Sequence, residues 1–434
     1  MTVSGRRTRM RVAIALLWAV AITLLAGCAG KRAPDRIQLT LFTWVQPEEL
    51  AVNQRLIAEF EQQHPDLDVT IINEPGQRAM DKLQTSIAAG KAPDVMSIHG
   101  AYFLPLAAKG ALLDLEPLVK DDPQFDLGDF YPQLLPLCRY QNHLYSLPRY
   151  SSVYVLFYNQ DLFDDAGVAY PDGSWDWDDY LAAARKLTRH SPDPAQQRYG
   201  CVIDFWGARI YPWIWQNGGQ ILDQSRAKCL LDQPPAVEAL QFLVDLASKY
   251  KVAPRISQQD SRETREWFKA GRVAMLMSGA WDVQVLRRSP DLRWNVAPLP
   301  RRKQRATLAG TENYAIAATT KHPQQAWELF RFLLSPSSQG RMAAEVDKQP
   351  SRRSVAQGEY LKAKVGYDRR VLVEALDYGK LAPNVPQWDR ISHLIQDRLD
   401  QIWNGELGVR PGMRRAAADV SRELGAQQEP GAGG

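Results

Sequence analysis

The chain has 434 residues, 45% of them hydrophobic, with 53 Lys+Arg against 49 Asp+Glu and a formal net charge of +4. Four of the basic residues, Arg6, Arg7, Arg9 and Arg11, fall within residues 1–27, which hold no acid, and removing that segment leaves 49 against 49. The basic excess therefore leaves with the segment and implies no nucleic-acid or membrane-surface partner, and the remainder is long and apolar enough for two sizeable cores.

Residues 12–26 form an apolar run interrupted only by Thr23. The run is short of the roughly 20 residues needed to cross a ~30 Å hydrocarbon layer. It also lacks the polar positions at a period near 3.6 that a core helix would show. Basic, then apolar, then small is the order of a secretory signal. Leu25-Ala26-Gly27-Cys28 is similar to the lipobox of bacterial lipoproteins. That resemblance implies a leader over 1–27, a diacylglycerol on Cys28 and a lipidated tether over 28–36, at the outer face of a membrane. A plain signal with an incidental cysteine and a true membrane anchor are the alternatives. The remaining cysteines are Cys138, Cys201 and Cys229. In an oxidising envelope Cys201 and Cys229 can bridge, and buried thiols fit the odd count as well.

Regular pattern starts after the tether. Residues 38–44 read as a strand, 48–63 as a helix with Leu50, Leu56, Ile57 and Phe60 inward, and 67–72 as the next strand. A second helix over 78–89 ends at Gly90, and 94–98 is a third strand. Strands separated by helices in this way are βαβ crossovers and predict a mostly parallel sheet. Two later helices carry a proline at an early position, Pro235 and Pro323. The Gly/Ala/Gln-rich tail over 425–434 has no pattern and reads as flexible.

Several chemistries leave no trace. There is no Gly-x-Gly-x-x-Gly after a strand, no phosphate loop, no His-Glu-x-x-His, no Cys-x-x-Cys and no Gly-x-Ser-x-Gly. The six histidines never fall at metal-ligand spacing. Neither a cofactor nor a metal is expected.

Eight segments in order carry a resemblance: "AAGKAPDVMSI" (88–98), "LPRYSSVYVLFYNQDLFDDAGV" (147–168), "WDWDDYLAAARKLT" (175–188), "YPWIWQNGGQILD" (211–223), "AGRVAMLMSGAWD" (270–282), "NVAPLP" (295–300), "AWELFRFLLSPSSQG" (326–340) and "QPSRRSV" (349–355). Together they resemble the family 1 extracellular solute-binding proteins of ABC sugar importers. The resemblance implies a type II periplasmic-binding-protein-like α/β fold with two lobes around a ligand cleft, each lobe a mostly parallel sheet flanked by helices. It places one lobe at 37–149 plus 306–348 and the other at 150–305 plus 349–424, with hinges near Pro148, Thr307 and Pro350. It also implies no catalysis: a monomer captures a sugar, oligosaccharide or polyol and delivers it to the permease. Another solute, such as a glycerol-phosphodiester, and a secreted glycoside-active enzyme are the rival readings.

Sugars offer hydroxyl rims and apolar C–H faces, so a site needs aromatic plates beside carboxylates, amides and guanidinium groups. Trp44 ends the first strand and Glu48 follows it, although a helix-start acid also compensates the dipole. His99 and Tyr102 follow the third strand, and Tyr150 and Ser151 lie at a crossing. Trp206, Trp213 and Trp215 precede Asn217-Gly218-Gly219, whose glycines suit a turn of positive φ. Of this cluster Trp206, Trp215 and Asn217 are the candidates, with one tryptophan expected on ligand and the others in core. Trp281 with Asp282 offers a plate beside a carboxylate, Glu312 with Asn313 an acceptor beside a donor, and Arg352 a clamp. Trp175 and Trp177 read as helix-entry packing, with Asp176 or Asp178 capping. Arg149, Arg209 or Arg352 would offset Glu312 if the ligand were anionic.

Overall fold

The computed structural model describes residues 36–425 apart from 77, 194 and 256–260, and the side chains of all of these but Ala101, Ser261 and Arg262. The leader, Cys28, the tether up to residue 35 and the tail beyond Gly425 lie outside the described residues.

Strands β1 (Ile37–Thr43), β2 (Leu67–Asn73) and β3 (Val95–His99) pair in parallel, with β1 in the middle. Helices Pro47–Gln63 and Ala79–Ala88 make the two crossovers. The first helix begins with proline at an early position and Glu48 and Glu49 in its first turn, and buries Val52, Leu56, Ile57 and Phe60 along one face. Asp94, just ahead of β3, is structural: it accepts from Thr40 N at 2.9 Å and from Thr320 Oγ1 at 2.6 Å.

After a hairpin of β4 (Arg139–Tyr140) and β5 (His143–Leu144) comes β6 (Ser146–Asn159), which links two half-sheets. Its first part pairs antiparallel with β10 (Thr307–Ile316) and its second part with β8 (Val273–Gly279) and β9 (Trp294–Ala297). β7 (Tyr199–Val202) lies parallel to β8, and β11 (Gly379–Leu381) parallel to the start of β10. The order is β2-β1-β3-β10-β6-β8-β7, parallel at both ends and antiparallel where β10 and β6 pass through the middle. Two hydrophobic clusters cover the β2-β1-β3 end, one containing Leu39, Phe60 and Phe330, the other Phe42, Met80 and Phe103. Two more cover the β8-β7 end, one of them also taking in Tyr131, Leu134, Ala309 and Ala343, and Val52, Leu56, Tyr150 and Met342 form a small fifth patch. Cores at both ends joined by two long strands make a two-lobed α/β molecule.

The third passage between lobes touches the first two. Ser151 donates from N to Gln349 O at 3.1 Å and from Oγ to Pro350 O at 2.7 Å. Register between β6 and β10 slips at this point: Glu312 faces Tyr150 but Asn313 faces Pro148, so Arg149 is the extra residue of a bulge.

The bridge considered between Cys201 and Cys229 is not present: both are free, buried thiols. Cys201 packs from β7 toward Val252 O, whereas the Cys229 backbone N–H binds Ser421 Oγ at 3.0 Å, so each is held in the core by different neighbours. Burial pushes both thiols up to about 12, and they act as small apolar groups.

Candidate ligand cleft

Open α/β sheets bind ligands beyond the carboxyl ends of their parallel strands. Here those ends converge from both lobes on one place. β3 runs antiparallel to β10 with His99 opposite Glu312, which itself faces Tyr150 on β6. β8 runs antiparallel to β6 with its last residue, Gly279, opposite Tyr154. The carboxyl ends of β1 and β3 in one lobe, and of β7 and β8 in the other, thus open onto the stretch 150–154 where the chain crosses.

On the first-lobe wall, Trp44 directly follows β1 and His99 ends β3, with ring centroids 6.2 Å apart and edge to face. Tyr102 continues the row 6.4 Å from His99. Desolvation lowers the His99 imidazole below its ordinary 6.5, against the opposing pull of Glu312. Burial, with Asp389 and Asp81 nearby, raises the Tyr102 phenol and keeps it protonated.

On the second-lobe wall stand two of the few exposed large hydrophobic side chains, Trp206 (47% exposed) and Trp281 (41%). Trp206 follows β7 and precedes helix Gly207–Gln216; Trp281 opens helix Trp281–Leu286 after β8. The Trp281 ring lies over Gly279, where a Cβ would come within 2.1 Å of it, so that glycine permits the plate's position. Below, the ring meets Tyr154 edge-on at 5.3 Å, and Arg209 stands 6.0 Å from the Tyr154 centroid. Arg209 forms a buried ion pair with Asp204. Between the walls the floor holds buried polar atoms without a hydrogen-bond partner among the described residues: Trp44 Nε1, Ser152 Oγ and Thr311 Oγ1, with Arg209 Nε on the second wall. Buried polar groups are nearly always satisfied, so such a cluster is where a polar ligand or water would bind.

Beneath the crossing lies a dense ionic cluster. Arg149, 1% exposed, donates to Ser97 Oγ at 2.8 Å, to Tyr150 Oη at 2.8 Å and to Glu49. Lys348 binds the other Glu49 oxygen at 2.9 Å. Burial alone would raise the Glu49 pKa, but Lys348 and Arg149 together hold it below the usual carboxylate range.

Of the expected residues, Trp44, His99, Tyr102 and Glu312 are therefore brought together on the first wall, and Trp206 and Trp281 stand exposed on the second. The others have partners within the protein. Tyr150 donates to Glu49 at 2.9 Å and Ser151 to Pro350 O at 2.7 Å. Trp215 is in core, and Asn217 donates to Pro235 O and Glu238, each at 2.9 Å. Gly218 takes the expected positive φ, +82°. Asp282 accepts from Arg265 at 2.7 Å and from Ser278 at 2.6 Å. Asn313 Nδ2 reaches Ser146 at 3.2 Å. Arg352 is buried over the Phe130 ring at 4.3 Å, with Asp129 at 3.2 Å. Glu48 is exposed and pairs across the lobes with Arg288 at 2.7 Å. Asp204, Tyr154, Ser152 and Thr311 stand beside the cleft residues without having been expected from the sequence; the signal for the first was "DFWG", which begins two residues after the end of β7.

A concavity of about 560 Å³ lies at the far end of the second lobe, lined by Asn159, Asp161, Arg198, Lys269 and Arg272 among others. It has no exposed aromatic plate, and its charged groups serve mainly their own neighbours, Asp161 with Arg293 and Lys269 with Glu266. Among the described residues no cluster of His, Cys, Asp and Glu could hold a metal ion, and no helix is long and apolar enough to cross a membrane.

Comparison with known proteins agrees with the two-lobed fold. Residues 46–340 match the family described as bacterial extracellular solute-binding protein. The galactooligosaccharide-binding protein of Bacillus subtilis is 22% identical over 435 residues, 96% of this chain and 98% of that one. An uncharacterized lipoprotein of Streptomyces antibioticus is 26% identical over 351 residues, 77% of this chain and 75% of that one. An ABC substrate-binding protein from Listeria monocytogenes, solved in complex with cycloalternan, superposes with a TM-score of 0.82 at 27% identity, covering 90% of this chain and 100% of that one.

Proposed function

The chain belongs to the bacterial extracellular solute-binding protein family, and from that premise we propose that it is the receptor of an ABC importer, capturing a sugar, oligosaccharide or polyol between its lobes and delivering it to the permease. The observation that carries this reading is the pairing of two exposed tryptophans with unpartnered buried polar atoms at the strand ends of both lobes. Aromatic plates cover the C–H faces of a sugar ring, and the polar atoms meet its hydroxyls. In this reading the lobes are 37–149 with 306–348 and 150–305 with 349–424, and closure turns at the junction of β6, β10 and Pro350. A ligand that bridges both walls favours the closed state, and a bias of a few kcal/mol suffices to mark loaded receptors for the permease.

The same reading makes Cys28 a lipid anchor that keeps the receptor beside its permease, supported by the lipobox pattern and by a relative that is itself a lipoprotein. Cys28→Ala should move the protein from the membrane to the soluble fraction on fractionation; a variant that stays with the membrane contradicts the anchor.

Titration against a panel of mono-, oligosaccharides and polyols should show saturable binding of at least one member and a rise in melting temperature, worth about 2.7 kcal/mol at a hundredfold excess over Kd. A panel without any response overturns the sugar reading.

A further inference from the structure

We propose that Asp204 and Arg209 act as a pre-paired clamp in the second lobe that takes vicinal hydroxyls of an uncharged sugar ring and turns anionic saccharides away. The inference rests on the sugar reading and deepens it by naming the charge class of the ligand.

Both side chains are more than nine-tenths buried, at the carboxyl end of β7 and in the helix that follows. They flank Trp206, and Arg209 stands 6.0 Å from the Tyr154 ring on which Trp281 rests. A ring stacked on either tryptophan therefore presents its rim near the pair. One guanidinium nitrogen is engaged by Asp204, while Arg209 Nε is buried and has no hydrogen-bond partner. A carboxylate accepts hydroxyl protons and a guanidinium donates to hydroxyl oxygens, so a diol satisfies both without separating them.

An anion would meet different terms. The charge of Arg209 is already balanced by Asp204, and Glu312 adds a carboxylate on the opposite wall, beside His99. Arg149, one residue ahead of Tyr150, is occupied by Glu49. A uronate or phosphorylated sugar would have to displace Asp204 from Arg209, stranding a buried carboxylate, and face Glu312 as well.

The test uses the full chain in detergent and calorimetric titration with matched probes: neutral gluco-, manno- and galacto-di- and trisaccharides, and the corresponding uronate-bearing oligosaccharides. The clamp predicts that the best neutral probe binds the wild type at least tenfold more tightly than its uronate counterpart. Asp204→Asn should weaken the neutral probe about tenfold or more and shrink or reverse that preference, because Arg209 is released to meet an anion. Equal or tighter binding of uronates by the wild type overturns the clamp while leaving the sugar reading intact, and so does an Asp204→Asn variant that weakens both probes by the same factor. Should Asp204→Asn fail to fold, the wild-type ratio alone decides. Binding of no probe at all overturns the sugar reading and the clamp with it.

Discussion

Trp281 presents 41% of its surface although it sits beside a buried strand end, and it rests on Tyr154 rather than in a core. Its replacement by alanine should cost little stability and much binding: about ten- to hundredfold in Kd, or ~1.4 to 2.8 kcal/mol, by titration, with the melting temperature almost unchanged. Glu49 should behave in the opposite way, affecting stability first. Its carboxylate is buried between Arg149 and Lys348, so Glu49→Gln leaves two cations uncompensated and should destabilise the protein by about 3 kcal/mol in urea titration at pH 7. Folding lowers this pKa below its ordinary 4.5, so the carboxylate's contribution is complete above that value and drains as pH falls through the folded value. Wild type should therefore lose more stability than Glu49→Gln between pH 5 and 3; equal losses would remove Glu49 from the acid response. Single residues also show where the sequence was readable. Gly279-Ala280-Trp281 announced a tight turn with a ring on it, and the ring is exposed as expected. Asp282, Asn217 and Arg352 looked equally suited to a ligand, but a polar residue near a turn gives no sign of which way it points. Each found a partner distant in sequence: Arg265, Glu238 and Asp129.

At the scale of elements, local signals were reliable where they depend on neighbours in sequence. Helix Trp177–Leu187 opens with a capping box in which Asp176 accepts from the backbone of Asp178 and Asp179, and Asp179 reaches back to Asp176 N at 3.0 Å. Asp176→Ala should cost about 1 kcal/mol in chemical denaturation and leave sugar affinity untouched, since this helix packs through Trp177 on Phe242 at 4.7 Å, within the core. A change in affinity would show that the helix end communicates with the cleft. The βαβ alternation of the first lobe was legible for the same reason: the period of apolar residues sets it. The antiparallel run of β10 between β3 and β6 was not, because its register is fixed by partners more than 150 residues away, as with Asn313 against Pro148. Asp204 escaped notice likewise: only the β7–β8 pairing puts it beside Trp281's strand.

For the whole molecule, the third passage is tied to both lobes by consecutive opposite charges. Asp347, with φ of 56°, accepts from Arg369 at 2.6 Å, Arg287 at 2.9 Å and Tyr367 at 2.7 Å in the second lobe, while Lys348 reaches Glu49 in the first. Such fixed points suit a rigid-body closure about the crossing rather than a loosening of either core. The proposed function seats a saccharide between the carboxyl ends of β1, β3, β7 and β8. The most direct measurement is a crystal structure of the protein with the tightest-binding member of the sugar panel. The expected result is a sugar ring in van der Waals contact with Trp281 or Trp206, with hydroxyls on Asp204 and Arg209 and the opposite edge against Trp44. A sugar seated instead in the concavity between Asp161 and Arg272, with the space between the lobes empty, would contradict it.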